Sequence, residues 1–319
     1  MAFRTVPPHS PEWHAIRLQH VGASEVAALF DAQPPYALTR YALHHVKAGT
    51  VPAPPVDNER VRMGIAMEPV IGRLAAERHG WTIAPGRYAT DDTTFGMGAS
   101  LDFEIAGAAG LPPGFEGVTG PGALETKNVD GLVYRKTWTN NEPPIHQLLQ
   151  LQHQLACTAY EWGCLAALIG GNELRTVFYR PRPRIIGSIR TRIAAFWQDV
   201  RTGKEPPADG SDAATAVIRS LFPDLAYEPA DMRDDNELPD LCAQYLTASA
   251  DAREAKARTD ELRNQIMAKV GAHKHAMVQG FNVTVSLTEA KPERPAPPGA
   301  MLPGRAESRR LIVKERVAA

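Results

Sequence analysis

Cysteine is scarce in this sequence. The 319 residues hold three, Cys157, Cys164 and Cys242, an odd number without the paired spacing of a zinc site or a disulfide framework. A reducing cytoplasm is the expected home. Long apolar runs are also missing. Nothing approaches the roughly 20 residues needed to cross a bilayer, and the opening MAFRTVPPHS is too polar to act as a signal peptide, so no membrane role is expected. An excess of one charge is lacking as well. The 35 Lys and Arg set against 36 Asp and Glu give a formal net charge of -1. That balance argues against coating of a polyanion by bulk charge and leaves any such contact to a local patch.

What is present is ordinary globular material. Apolar residues make up 44% and charged residues 22%, and the length suits one enzyme-sized domain with an appendage. Ser10-Pro11, Ser24 and Thr39 read as helix starts, and Gly49 and Gly80 as helix ends. They give short helices over the first fifty residues and a stronger one from Glu59 to His79. From Trp81 the period changes. Runs at Trp81 to Thr90 and Phe95 to Ile105 read as a hairpin, a Gly/Pro-rich loop spans Ala106 to Gly122, and Ala123 to Asn128 reads as a strand. A helix from about Pro143 to Tyr160, a hairpin of Cys164 to Ile169 with Leu174 to Tyr179, and an amphipathic helix from Ile185 to Val200 complete a core over residues 1–205. An acidic, Pro-rich linker is expected at 206–235, and a long helix plus a short β segment at 236–290. In that helix Leu238, Leu241, Tyr245, Ala248 and onward to Ile266 keep the three-four spacing of a coiled-coil seam. A disordered tail is expected at 291–319.

The chemistry concentrates in Ser100-Leu101-Asp102 on one strand and Leu124-Glu125-Thr126-Lys127 on the next. Strand alternation puts Glu125 and Lys127 on one face and Leu124 on the other. If adjacent strands bring Asp102 beside Glu125, the two carboxylates repel, and a hard divalent cation such as Mg²⁺ relieves that repulsion. Lys127 could orient or deprotonate a water, or neutralise charge on a phosphate. Such parts suit phosphodiester hydrolysis. The plain alternative is a cross-strand salt bridge on a solvated sheet face. Glu68 stands between Ile65 and Ile71 on a helix and offers a third carboxylate, or a partner for Arg62 or Arg73. On the helix Gln147 to Gln154, Leu148, Leu151 and Leu155 form a buried stripe while Gln147, Gln150 and Gln154 form a second line, either a solvated face or amides able to bind phosphate or water. His146 and His153 lie on a similar side without a third ligand, so zinc is not expected there.

Five pieces in this order resemble the YqaJ-type viral recombinases, relatives of phage lambda exonuclease among the PD-(D/E)XK nucleases. They are Trp13-x-x-x-Arg17 with Gly22-Ala23-Ser24-Glu25, Gly64-x-x-x-Glu68-Pro69, Ser100-x-Asp102, Leu124-Glu125-x-Lys127, and Gln150-Leu151-Gln152-x-Gln154-Leu155. The resemblance runs from about Trp13 to Pro206. It implies an α/β (α+β) fold, a PD-(D/E)XK core with a central mixed sheet flanked by helices, here followed by a C-terminal helical, coiled-coil extension. It also implies that Asp102, Glu125 and the Thr126 carbonyl bind Mg²⁺, for which Mn²⁺ substitutes, with Glu68 assisting, Lys127 serving the water and Gln150 supporting the centre. Arg17, Ser24 and Ser100 match a pocket for a terminal 5′-phosphate. The implied activity is degradation of linear double-stranded DNA from 5′ to 3′ in a bacterial host cell, of phage or prophage origin. A single-strand annealing protein and a ring-like trimer are the implied partners. Departures are the long loop before Glu125 and Asn128 after the lysine.

Two other readings compete. One is another nuclease of the superfamily. An iron–sulfur type would need four thiolates and this chain has three cysteines, whereas a restriction-like endonuclease remains open. The other is a non-catalytic DNA-binding or assembly protein. Among Arg175, Arg180, Arg182, Arg184, Arg190 and Arg192, the best local patch for phosphate contact, Arg182 and Arg184 are the foremost DNA-binding candidates.

Overall fold

Four of the five capping residues read from the sequence set helix ends. Ser10 accepts the Trp13 N–H and opens α1 (Pro11–Leu18). Thr39 accepts the Ala42 N–H and opens α2 (Arg40–Ala48), which Gly49 closes at φ 74°. Asn58 opens α3 (Glu59–His79) and Gly80 closes it at φ 69°. The cap expected from Ser24 is not made. The chain instead enters a five-residue 3-10 helix, Val26–Phe30, from Glu25, whose carboxylate turns back onto the Gly22 N–H at 2.7 Å. This computed structural model describes residues 2–8, 10–54, 58–224 and 226–289, together with the strands at 294–296, 300–302 and 308–315.

The chain forms two compact units, Met1–Leu225 and Ala226–Ala319. In the first, β1 (Ala2–Arg4), β2 (Ile83–Pro85), β3 (Tyr88–Thr90), β4 (Gly98–Ser100), β5 (Phe103–Ile105) and β6 (Gly122–Val129) precede α4 (Gly131–Thr137) and α5 (Ile145–Thr158). Then come β7 (Gly163–Ile169), β8 (Glu173–Tyr179), α6 (Pro183–Thr202) and α7 (Asp212–Leu221). The principal sheet has the order β2-β5-β6-β7-β8, and a smaller one has the order β1-β3-β4. Only β6 and β7 run parallel among these paired strands, so the sheet is mixed.

The hairpin expected between Trp81 and Ile105 exists but is shared between both sheets. β3 pairs β4 with Tyr88 opposite Ser100, and β2 pairs β5 with Ile83 opposite Ile105, one continuous register broken in the middle. At the break the Gly86 N–H donates to the Asp102 carbonyl at 3.0 Å and the Leu101 N–H to the Arg87 carbonyl at 3.2 Å. A Cβ on Gly86 would sit 2.1 Å from the Leu101 oxygen, so only glycine allows this crossing. Asp102 thus lies in the bend between two strands rather than within the single strand the sequence suggests.

Alternation along β6 separates two cores. Ala123 and Val129, with Leu165, Ala167 and Ile169 of β7, join α5 and α6 in one cluster. Leu124, with Cys164, Ala166 and Leu168, joins Ile71 and Ala75 of α3 in the other. The Gly/Pro-rich loop before β6 packs Leu111, Phe115 and Val118 on this second face, away from the face that carries Glu125. Helix α7 falls inside the segment expected as a linker. Ser211 caps it, and Ala214 and Val217 pack with Tyr41, Ala42 and Val46.

In the second unit, the 33-residue α8 (Leu238–Val270) carries the predicted seam on one continuous helix. It leaves Leu241, Tyr245 and Leu246 exposed. There follow β9 (His275–Val278), β10 (Phe281–Thr288), β11 (Arg294–Ala296), β12 (Ala300–Leu302) and β13 (Ser308–Glu315), with β9, β10 and β13 forming an antiparallel sheet. Much of the tail expected at 291–319 lies outside the described residues.

Candidate active site

The site forms where β5 and β6 part. Their ladder ends with Phe103 opposite Leu124, and one further step places Asp102 across from Glu125. There the chain turns away toward β4, and a side chain replaces the missing ladder. Asp102 Oδ2 accepts the Thr126 N–H at 2.7 Å and its hydroxyl at 2.9 Å. The Ala123 N–H points to β7, donating to Trp162 O at 3.3 Å. By alternation the backbone groups of Thr126 point the other way, to the side β5 has left. The Thr126 carbonyl therefore faces the opening beside Asp102.

Glu125 and Lys127 share a face as expected, and Lys127 Nζ lies 2.5 Å from Glu125 Oε1. Gln150 Nε2 donates to the same oxygen at 2.6 Å, and Gln154 Nε2 to Oε2 at 2.6 Å. The carboxylate is almost wholly buried, with 1% of the residue exposed. Burying a carboxylate is costly unless donors such as these satisfy it.

The electrostatics are those of crowded acids. Burial pushes the Asp102 carboxyl well above its usual range, reinforced by the charges of Glu125 and then Glu68. Burial and Glu125 likewise raise Glu68, with Lys127 opposing. Burial pulls Lys127 down, but Glu125 and Asp102 overcome it and lift the ammonium above its ordinary value. Glu68 thus lies within electrostatic reach of both other carboxylates. Its helical neighbour Ile71 is buried while Ile65 is 44% exposed, so its apolar face is only half made. Arg62 pairs with Glu59 and Arg73 with Glu77.

Among the described residues no three His, Cys, Asp or Glu side chains are close enough to enclose an ion by themselves. Mg²⁺ does not require that, since it commonly takes one or two carboxylates and keeps several waters. An all-oxygen donor set, two carboxyls raised by burial and by the charge of Glu125, and a carbonyl on an opened strand edge fit such an ion.

The glutamine line is not a solvated face. Helix α5 is buried all round from Leu151 to Thr158, and Gln152 spans Arg180 O at 3.0 Å and the Arg182 N–H at 2.6 Å. Gln154, which the sequence marks only as one of a line of amides, joins the site because its spacing of four from Gln150 brings both to the same carboxylate. His153 Nε2 donates to Gly98 O at 2.9 Å, and burial lowers the imidazole to about 4. It is a neutral core residue.

Arg17, Ser24 and Ser100 come together. Arg17 Nη2 lies 3.5 Å from Ser24 Oγ and 3.3 Å from Glu25 Oε1, and its guanidinium covers Trp13 at 4.4 Å. Trp13 Nε1 in turn donates to Ser100 Oγ at 2.8 Å. Behind them the buried Lys47 ammonium holds Glu25 Oε2 at 2.8 Å and the Arg17 carbonyl at 2.8 Å. Against the upward push of burial, Lys47 and Arg17 hold Glu25 at about 2.

The arginine series does not form one patch. Arg175 is bound to Asn141 and Glu173, Arg180 to the Gly114 and Glu116 carbonyls, Arg190 to Asp91, and Arg192 to Leu29 O. Arg182 and Arg184 are exposed, with the Arg182 guanidinium beside the Tyr179 ring.

A mixed sheet flanked by helices, with an acidic residue at the bend and Glu-x-Lys on the neighbouring strand, is the PD-(D/E)XK nuclease fold. Residues 12–161 match the model of the YqaJ-like viral recombinase domain. The crystal structure of an alkaline exonuclease, LHK-Exo from Laribacter hongkongensis, shares the fold with a TM-score of 0.50 at 20% identity, covering 61% of this chain and 95% of that one. Its complex with dAMP gives a TM-score of 0.48 at 20% identity over the same shares, 61% and 95%. None of the curated proteins matches this sequence.

Proposed function

We propose that this protein is a Mg²⁺-dependent deoxyribonuclease that degrades linear double-stranded DNA from its ends, 5′ to 3′, leaving single strands for recombination. The observation that carries the reading is the opening between β5 and β6, where Asp102, Glu125, the Thr126 carbonyl and Lys127 converge. The YqaJ-like domain match and the fold shared with an alkaline exonuclease support it.

Asp102, Glu125 and Thr126 O would hold the ion, with Glu68 close enough to assist. Bound Mg²⁺ supplies Lewis-acid activation of water and neutralises charge on the scissile phosphate. The chain's own groups do the remaining work. Gln150, Gln154 and Lys127 hold and orient the Glu125 carboxylate. Lys127 presents an ammonium that can orient water or stabilise the negative charge developing on phosphate oxygens. Arg17, with Ser24 and Ser100, offers a guanidinium and hydroxyls to a terminal 5′-phosphate, and Arg182 and Arg184 remain exposed for the backbone of the duplex. A DNA-annealing protein that receives the single strand, a ring-like trimer, and action in the bacterial cytoplasm complete the proposal.

The test is digestion of end-labelled linear duplex in Mg²⁺, alongside closed circular DNA and an EDTA control. Linear DNA should be consumed, circles spared and EDTA inhibitory. Glu125→Gln and Lys127→Ala should each lower the rate by about 100-fold or more with the circular dichroism spectrum unchanged. Cutting of circles would favour a restriction-like endonuclease, and undiminished rates in both variants would refute this centre.

A further inference from the structure

Gln154 is enclosed. It is 1% exposed and sits between the core residues Leu151 and Leu155 on a helix whose surroundings suit a leucine or methionine. Its amide nevertheless remains polar, with Oε1 buried and without a hydrogen-bond partner among the described residues. A buried amide with an orphaned oxygen is unfavourable unless its other end does something an apolar side chain cannot. The other end is Nε2, which lies 2.6 Å from Glu125 Oε2 and 3.3 Å from the Ser100 carbonyl. One NH₂ group carries two hydrogens and can serve both acceptors.

These two acceptors belong to different parts of the site. Glu125 is the carboxylate at the strand opening. Ser100 belongs to the Arg17 cluster, since its hydroxyl accepts the Trp13 indole N–H at 2.8 Å and the Trp13 ring supports the Arg17 guanidinium at 4.4 Å. Side chain, indole, serine and amide thus form an unbroken chain from Arg17 to Glu125. Gln150, four residues earlier on α5, also reaches Glu125, yet among the described residues no hydrogen bond ties it to Ser100. The link is a property of Gln154.

We propose that Gln154 is a positioning residue that couples the seating of a DNA terminus at Arg17 and Ser100 to the placement of the Glu125 carboxylate. This rests on the end-binding reading above. An end phosphate drawing on Arg17 would act through Trp13 and Ser100 on the same amide that fixes Glu125 Oε2. The enzyme would then cut a correctly seated end faster than one lacking its phosphate, beyond any difference in binding.

The test uses the full-length protein in Mg²⁺ with duplexes carrying 5′-phosphate or 5′-hydroxyl ends. Gln154→Met keeps the volume and removes both hydrogen bonds, and Gln154→Asn, a polar amide too short for Glu125, serves if the methionine variant does not fold. The wild type should cut phosphorylated ends faster in kcat. Either variant should lose at least tenfold in kcat with less than a twofold change in KM for phosphorylated ends, and its preference between the two ends should fall toward one. Arg17→Ala should also abolish the preference, and the double variant should lose less in kcat than the product of the two single losses, because both break one chain. A variant that is slower but keeps the full phosphate preference, or whose loss multiplies with that of Arg17→Ala, would overturn the coupling and leave the end pocket standing. Equal wild-type rates on both ends would overturn the pocket and the coupling together while sparing the metal centre.

Discussion

At Asp102, function and stability pull in opposite directions. Burial and the charges of Glu125 and Glu68 raise its carboxyl well above the ordinary range, so the folded protein binds a proton there more tightly than the unfolded chain, whose aspartates titrate near about 3.9. Stability linked to this group is greatest at acid pH, where both states are protonated. It falls as pH climbs from the unfolded value through the raised folded one. In the absence of a divalent ion Asp102 therefore destabilises the fold at neutral pH. Asp102→Asn retains an acceptor for the Thr126 N–H and hydroxyl and cannot ionise. The metal-free variant should melt above the wild type at pH 7, with the gap closing near pH 4. Added Mg²⁺ should raise the wild-type melting temperature and leave that of the variant nearly unchanged, since an ion bound only by the folded state stabilises it. A variant melting below the wild type at pH 7 would show that the Thr126 hydrogen bonds outweigh the repulsion.

At the scale of elements, the site depends on where one hairpin crosses between two sheets. Gly86 permits that crossing, with a Cβ there falling 2.1 Å from the Leu101 oxygen, whereas Gly187 on the exposed face of α6 has nothing within 4 Å of its own Cβ position. Gly86→Ala should lose about 2–4 kcal/mol and activity with it, because Asp102 sits in the bend that would be displaced. Gly187→Ala should gain about 0.5–1 kcal/mol and leave activity intact. Urea melts of the two variants check both, and equal small effects would mean the crossing can relax. The same contrast explains what was legible in the sequence. The caps at Ser10, Thr39, Gly49 and Gly80, the hairpin of β7 and β8, and the apolar stripe of α6 are local signals, and each stands where its residues suggest. The face shared by Glu125 and Lys127 follows from alternation alone. The division of one hairpin between two sheets, by contrast, depends on a contact between Gly86 and Leu101. That Gln154 is buried against Glu125 instead of solvated depends on which strands cover α5, and the spending of Arg175, Arg180, Arg190 and Arg192 on internal partners depends on elements far away in sequence. Helix α7 was hidden by its acidic and Pro-rich flanks, because two small apolar contacts, Ala214 and Val217 against α2, carry its packing.

At the scale of the whole molecule, the chain gathers every proposed site residue, from Arg17 to Arg184, into the unit Met1–Leu225. That unit has its own layered cores on both faces of the principal sheet and, at this length, enough interior to fold without help. The unit Ala226–Ala319 has a different character, since α8 exposes Leu241, Tyr245 and Leu246 along 33 residues. A chain ending at Leu225 should therefore unfold in one cooperative transition and retain Mg²⁺-dependent degradation of linear duplex within a few-fold of the full chain per mole of protein. The measurement is a thermal melt followed by the end-labelled digestion already described. Loss of cooperative melting would show that the second unit completes the core of the first. A cooperative fold with cleavage reduced by more than tenfold would instead show that the long helix or its sheet acts on DNA or on assembly of the active form.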